Sequence, residues 1–319
     1  MAVARIGSPG YHKGMATAEL STAAAPAPLN GTSAHFAYRF GTAGFALGVA
    51  DDAAVEILES AYAPMRVASV HPTAARASIR RLSDGRLQVR YGRTALRFGS
   101  IADTIPLRAA YHAVREVFAR FAGETPHGIA FYGALCALDG YAVLLLGPTT
   151  IGKTLLALHL AYGGRARFLG DDTALVSAMR DEAFAMPRRP SLRESALALL
   201  PDRVAQSIAA CSTSFTTDLG RFWYALDAKA LGGIEPCMQA YPLRAVCVLR
   251  ARTERTSVRR IEPARGVKLA AQRAYARPVS LAQTALLRRA LRRAAFFEVG
   301  LGAPEEAGEL LAEELRSCV

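Results

Sequence analysis

The strongest patterning in the chain lies between residues 128 and 162. GIAFYGALCALDGYAVLLL (128–146) is almost continuously apolar and is broken only at Asp139-Gly140. Two buried strands, Gly133 to Leu138 and Tyr141 to Leu146, joined by the Asp-Gly turn, account for it. A membrane span fits poorly, because placing Asp139 in lipid costs on the order of 3 kcal/mol. KTLLALHLAY then predicts a helix from Lys153 to about Tyr162, stopped by Gly163-Gly164. RFL runs into GDD (170–172), TALVSAM continues as a strand, and DEAFAMPRRPSLRES (181–195) reads as a hairpin return into a proline-rich loop. Further strands are expected at 221–226, 242–250, 257–262 and 296–301, with helices at 266–276, 280–294 and 304–316.

Upstream, HFAYRF (35–40) and GFALGV (44–49) alternate as short strands, and DDAAVEILESAY (51–62) reads as a capped helix. ARASIRRL and RLQVRYG flank Ser83-Asp84-Gly85, a hairpin signal. A helix is expected over 103–123, with Pro106 in its first turn. The resulting plan is a disordered Ala/Pro-rich tail at 1–35, a small α+β domain at 36–125, and a second domain at 126–319. Strands outnumber what a simple doubly wound domain needs, so the fold class is α/β (α+β) with a mixed sheet.

Composition changes this picture little. The five cysteines are scattered without a CxxC pair, which argues against a disulfide framework or zinc site and fits a reducing compartment. With no apolar core of a signal peptide in the tail, a cytoplasmic location is expected. The net charge of +12 is concentrated: residues 244–293 hold 14 Arg/Lys against Glu254 and Glu262. Solvated arginine-rich faces are the plain reading, and an acidic partner the functional one. No zinc-finger spacing or RNP-type aromatic motif points to nucleic acid. The helix at 280–294 lacks the bulky aromatics of a membrane-surface helix, so no membrane partner is expected.

Only four of the 39 basic residues are lysines, and one stands at the loop–helix junction. Gly147, Pro148, Thr149, Thr150, Ile151, Gly152, Lys153 and Thr154 fit G-x4-G-K-[ST], directly after a strand and opening a helix. The glycines let successive N–H groups turn inward around an anion, and the helix N-terminus adds its partial positive charge. Lys153 reaches β- and γ-phosphates as a compact point charge, and the Thr154 hydroxyl suits Mg²⁺. Asn30 is the only asparagine, so neither an NKxD guanine-reading motif nor a protein-kinase catalytic loop is present. Asp171 and Asp172 follow Lys153 by 18 and 19 residues, at the end of the next strand. That strand is expected beside the P-loop strand, bringing both carboxylates to the γ-phosphate. One can hold Mg²⁺, directly or through water, while the other accepts a proton from an attacking hydroxyl.

LLLGPTTIGKTLLALHL, Gly163-Gly164, RFLGDDTALV and PRRPSLRE (187–194) together resemble the HPr kinase/phosphorylase family, and more closely the HPr-kinase-related kinases of bacterial peptide-modification clusters, lasso-peptide tail kinases among them. The resemblance implies a P-loop HPr-kinase-like catalytic domain, with ATP and Mg²⁺ as cofactors and a homo-oligomeric assembly. It implies Asp171 as general base, with Asp172 beside Thr154 at the metal. The implied acceptor is a Ser/Thr hydroxyl on a peptide or small protein, such as a lasso or other ribosomal precursor peptide. The chain departs from the family at Tyr132-Gly133, where a His-Gly often stands, and at Thr150, a glycine in many members. LGGI (231–234) is a poor match to the glycine-rich segment of the phosphorylase reaction, so reverse phosphorolysis is not implied. A nucleotide-binding switch without phosphotransfer and a kinase of free hydroxy amino acids remain alternatives.

Secondary candidates carry structural readings beside functional ones. Arg188, Arg189 and Arg193 suit phosphate, an acidic peptide or an exposed loop equally. Arg221 reads as an edge-strand charge, and Phe222, Trp223 and Tyr224 as core. Tyr132 could stand near the phosphates, but a buried strand tyrosine is the favoured reading.

Overall fold

The computed structural model describes residues 34–40, 43–71, 74–92, 94–99, 106–124, 128–211, 213–217, 220–224, 237–275 and 280–317. The tail expected over 1–35 falls outside them except for Ala34 and His35, which open the first strand.

The first layer pair is built from β1 (Ala34–Phe40), β2 (Ala43–Ala50), α1 (Asp52–Ala61), β3 (Arg66–Val67), β4 (Ala75–Arg81), β5 (Leu87–Tyr91), β6 (Thr94–Phe98) and α2 (Pro106–Glu124). The strands form one sheet in the order β3-β1-β2-β4-β5-β6. β2 and β4 are parallel and joined through α1, while the other neighbours are antiparallel. Alternation dictates the buried face: Phe36 and Tyr38, Phe45 and Leu47, Ile79, and Leu87 and Val89 all point under the helices. Asp51 caps α1 by accepting from Ala54 N at 2.9 Å. α2 contributes Ala110, Ala113, Val114, Val117, Phe118 and Phe121 to the same core, and Phe121 stacks on Phe45 with centroids 3.6 Å apart.

The second sheet contains β7 (Gly128–Phe131), β8 (Gly133–Leu138), β9 (Tyr141–Leu146), β10 (Arg167–Gly170), β11 (Ala174–Ser177) and β12 (Glu182–Phe184). After the small strand β13 (Ser191–Arg193), helices α4 (Glu194–Leu197) and α5 (Asp202–Cys211), and strands β14 (Thr213–Thr217) and β15 (Gly220–Tyr224), it is completed by β16 (Ala240–Arg252), β17 (Ser257–Ile261) and β18 (Ala295–Leu301). Helix α3 (Lys153–Tyr162) and the later α6 (Pro263–Ala271), α7 (Leu281–Ala290) and α8 (Pro304–Ser317) cover it. β13, β15 and β14 pair as a separate three-stranded sheet.

β9 runs parallel to β16, and β16 parallel to β18, whereas β8 and β17 are antiparallel additions. The sheet is thus mixed, as its strand count implied. Side chains of β9 part to opposite faces: Val143 and Leu145 meet α3 and α8 residues such as Leu158 and Leu311, and Leu144 and Leu146 meet Ala270 and Leu287 of α6 and α7. Burial on both faces explains the unbroken apolar run in the sequence.

One expectation is corrected. β10 does not pair with the P-loop strand; the order is β10-β8-β9. The Asp139-Gly140 hairpin commits β8 to that edge of β9 first. β10 is antiparallel to β8 and so runs in the same sense as β9, which brings its C-terminal end to the level of the loop after β9. The helix expected at 266–276 lies at Pro263–Ala271, and the short α5 and β7 went unforeseen.

The last residue of β10, Gly170, has no room for a side chain. A Cβ there would stand 2.5 Å from the Met186 carbonyl oxygen. Gly170→Ala is therefore expected to lower the unfolding free energy by about 2 kcal/mol, measured by urea titration. A change near zero would show that the two segments can separate without cost.

Candidate functional site

The loop 147–152 joins the buried end of β9 to α3. Gly152 holds φ at 117°, a region open to glycine, and a Cβ there would meet Leu301 at 2.6 Å. Thr150 also lies in the left-handed region with φ of 70°. The loop therefore keeps this turn at a cost of about 1–2 kcal/mol for a β-branched residue.

Lys153 is 5% exposed. Its ammonium donates to the carbonyls of Gly147 (3.2 Å) and Pro148 (2.8 Å) and lies 4.6 Å from the centroid of the Tyr132 ring. Burial pulls its pKa down, opposed by the nearby Asp172 and Asp171. Tyr132 sits between β7 and β8, half-buried, with the lysine on its ring. This corrects the favoured reading of a buried strand tyrosine: Tyr132 stands at the P-loop.

Thr154 donates from Oγ1 to Oδ1 of Asp171 at 2.9 Å. Asp171 is 1% exposed, and its other oxygen, Oδ2, has no hydrogen-bond partner among the described residues. Burial, reinforced by the charge of Asp172, raises the Asp171 carboxyl from 3.8 to about 6. Asp172 behaves oppositely. Burial alone would raise its pKa, but Arg188, Arg115 and a bond from Tyr111 outweigh it and hold the carboxyl below its ordinary value. Asp172 Oδ2 accepts from Tyr111 Oη at 2.7 Å and from an Arg188 guanidinium nitrogen at 3.0 Å. Its backbone is left-handed, with φ of 61°, and Tyr275 Oη donates to its carbonyl oxygen at 2.7 Å.

Arg188 is neither a solvated loop residue nor an exposed phosphate grip. It is 2% exposed, sits 3.0 Å from Asp172 and 3.8 Å from Asp171, and lies over the faces of Tyr62 and Tyr111. Arg189 is half-buried, and its backbone N–H donates to Ala61 at the end of α1. Arg193 lies in β13 and is half-buried. Arg221, Phe222, Trp223 and Tyr224 belong to β15, but their side chains, like the LGGI segment, lie outside the described residues.

The site also contains residues that no sequence motif marks: Tyr62 from the end of α1, Tyr111 and Arg115 from α2, and Tyr275. Tyr111 and Arg115 are spaced i, i+4 on α2 beside its apolar stripe, which marks them as one face without naming what that face meets. Lys153, Arg115, Arg188 and Arg273 place four cations around two carboxylates, a surplus that favours a polyanion. The Thr154 hydroxyl and the Asp171 and Asp172 carboxylates are hard oxygen donors. That set fits Mg²⁺, which takes one or two carboxylates together with phosphate oxygens and water.

The basic window at 244–293 is not one free face. Arg250, Arg259 and Arg265 converge on Glu298 at 3.4, 2.6 and 2.7 Å, and Arg292 and Arg293 reach Asp181 at 2.6 and 3.3 Å. Among the described residues no helix is long and apolar enough to cross a membrane.

No family model matches the chain, and no curated protein matches it. Among solved structures, the HPr(Ser) kinase/phosphatase from Coxiella burnetii aligns with 59% of this chain and 94% of its own, at 13% identity and a TM-score of 0.29.

The raised Asp171 pKa fixes the sign of a stability effect. Between about pH 4 and 6 the folded chain holds a proton that the unfolded chain has released, so this group's contribution is full below pH 4 and lost as pH rises through 6. Asp171→Asn keeps an acceptor for Thr154 and removes the buried charge. It should stabilise the protein at pH 8 by on the order of 2 kcal/mol, a gain that shrinks toward pH 4. Urea titrations at both pH values check this.

Proposed function

We propose that the protein is an ATP- and Mg²⁺-dependent kinase that transfers the γ-phosphoryl group to a Ser or Thr hydroxyl of a peptide or small protein. The observation that carries this reading is the Thr154–Asp171 hydrogen bond, which sets a buried carboxyl against the start of the P-loop helix; its other oxygen accepts no hydrogen bond among the described residues and has the Arg188 guanidinium 3.8 Å away.

The loop N–H groups and the α3 N-terminus hold the triphosphate, with Lys153 released from its own loop carbonyls to the β- and γ-phosphates. Asp171 Oδ2 accepts the proton of the acceptor hydroxyl as its oxygen bonds to the γ-phosphorus. The bond from that phosphorus to the β,γ-bridging oxygen breaks, and ADP departs with the electron pair. A carboxyl held near pH 6 is matched to taking a proton at neutral pH. Bound magnesium, held by Thr154 and Asp172, would neutralise charge on the phosphates. The Thr154 hydroxyl can offer a lone pair to the ion and still donate its proton to Asp171. Rate enhancement is then mostly positioning and fixed electrostatics.

A switch without phosphotransfer has one observation in its favour, the Tyr132 ring packed on Lys153 where the family often has histidine. One experiment separates the two. Intact-mass spectrometry would follow a pool of precursor peptides, small proteins and free hydroxy amino acids incubated with Mg-ATP. An 80 Da gain on one acceptor marks the kinase and its substrate class. ATP binding without any gain marks the switch.

Asp171→Ala should lower kcat by about a hundredfold or more while leaving ATP affinity within about threefold, as a lost general base would. Lys153→Ala should weaken both. Steady-state kinetics with a nucleotide-binding isotherm measures the split. Arg252, Arg255 and Arg260 are exposed on β16, its following turn and β17, which suits an acidic acceptor peptide. Raising salt from about 50 to 300 mM should then increase the acceptor KM severalfold. A flat response would remove the acidic peptide from consideration.

A further inference from the structure

Helix α2 belongs to the first sheet, yet it delivers a hydroxyl into the acid pair of the second. Tyr111 Oη donates to Asp172 Oδ2 across 61 residues of chain, at 2.7 Å. The contact is embedded. Arg188 holds the same oxygen at 3.0 Å and lies over the Tyr111 ring at 5.8 Å, while Arg115, one turn further along α2, lies 5.8 Å from the centroids of both Tyr111 and Tyr132. Behind α2 stands a core that does not stop at the boundary between the sheets, since Ala130, Leu175 and Met186 pack into the same apolar cluster as Val114 and Phe118. The helix is thereby fixed against the strands that flank Asp172.

The choice of oxygen matters. Tyr111 and Arg188 both bind Oδ2, and Oδ1 takes part in neither bond. A carboxylate clamped through one oxygen, on a backbone held left-handed, has its other oxygen in a fixed place. We propose that Tyr111 is a positioning residue of this centre: its hydroxyl, supplied by the N-terminal unit, orients Asp172 so that Oδ1 is presented to the divalent cation that accompanies the nucleotide. The proposal rests on the nucleotide–metal reading of the site. It makes the first sheet and its helices part of the active centre.

Tyr111→Phe removes one oxygen and leaves the ring on Arg188. Mn²⁺ serves as the probe, titrated into protein with ADP and followed by its paramagnetic resonance signal. A hydrogen bond to a charged group contributes about 1.5 kcal/mol, so Mn²⁺ affinity in the ADP complex should fall about tenfold. ADP affinity in EDTA should be unchanged, and the melting temperature should stay within a few degrees. In turnover, kcat should drop at limiting Mg²⁺ and recover at high Mg²⁺, with the acceptor KM unmoved. A hydroxyl of merely structural value would shift the melting temperature and leave the metal titration alone, and that result overturns the proposal. So does wild-type Mn²⁺ affinity in the variant. Wild-type protein that binds Mn²⁺ and ADP but transfers no phosphate overturns only the kinase reading, and the Tyr111 assignment is then decided by the binding shift. Wild-type protein that binds no metal–nucleotide complex overturns both.

Discussion

The architecture turns on one buried ion pair, Arg188 with Asp172. A guanidinium and a carboxylate removed from water are tolerated only when each is matched by charge and hydrogen bonds. Here the matching groups come from four separate stretches of chain: Tyr62 and Tyr111 from the first sheet's helices, Asp172 after β10, and Arg188 after β12. Both charges follow strands of the second sheet, and the tyrosines that complete their surroundings come from the first, so the matching is complete only when both sheets are assembled. It also helps to set the two acids apart: the guanidinium holds Asp172 below its ordinary value, while burial, reinforced by the charge of Asp172, raises its neighbour Asp171. Two adjacent aspartates with opposed proton affinities are what a site needs if one is to hold a cation and the other to take a proton.

The P-loop and the acids meet through strand direction rather than strand adjacency. β8 separates β10 from β9, yet β10 and β9 end at the same edge of the sheet. Ligand sites of open α/β sheets gather beyond the carboxyl ends of parallel strands. The mixed sheet preserves that geometry because two antiparallel pairings in succession restore the sense of the chain.

The sequence revealed those parts of the molecule whose causes are local. The helix Lys153–Tyr162 was legible from its glycine brackets, the β8–β9 hairpin from Asp139-Gly140, and the cradle from its motif. Thr154 and the aspartates were legible as chemistry. What could not be read was long-range. Arg188 in PRRP has the composition of a solvated loop, and nothing near it in sequence signals that two aromatic faces and an aspartate will enclose it. Tyr111 and Arg115 look like ordinary flank residues of an amphipathic helix, because their partner lies in the other sheet. The neighbourhood of Tyr132 depended on where the lysine side chain folds back, which no periodicity encodes.

That fold-back has a consequence for how any ligand is received. The Lys153 ammonium already satisfies two carbonyls of its own loop and rests on an aromatic face. An anion that takes the ammonium would have to displace those carbonyls, exchanging internal bonds for external ones. The ammonium in turn braces the two carbonyls at the start of the loop. Any group that takes this ammonium must offer it more than the two carbonyls and the ring already do.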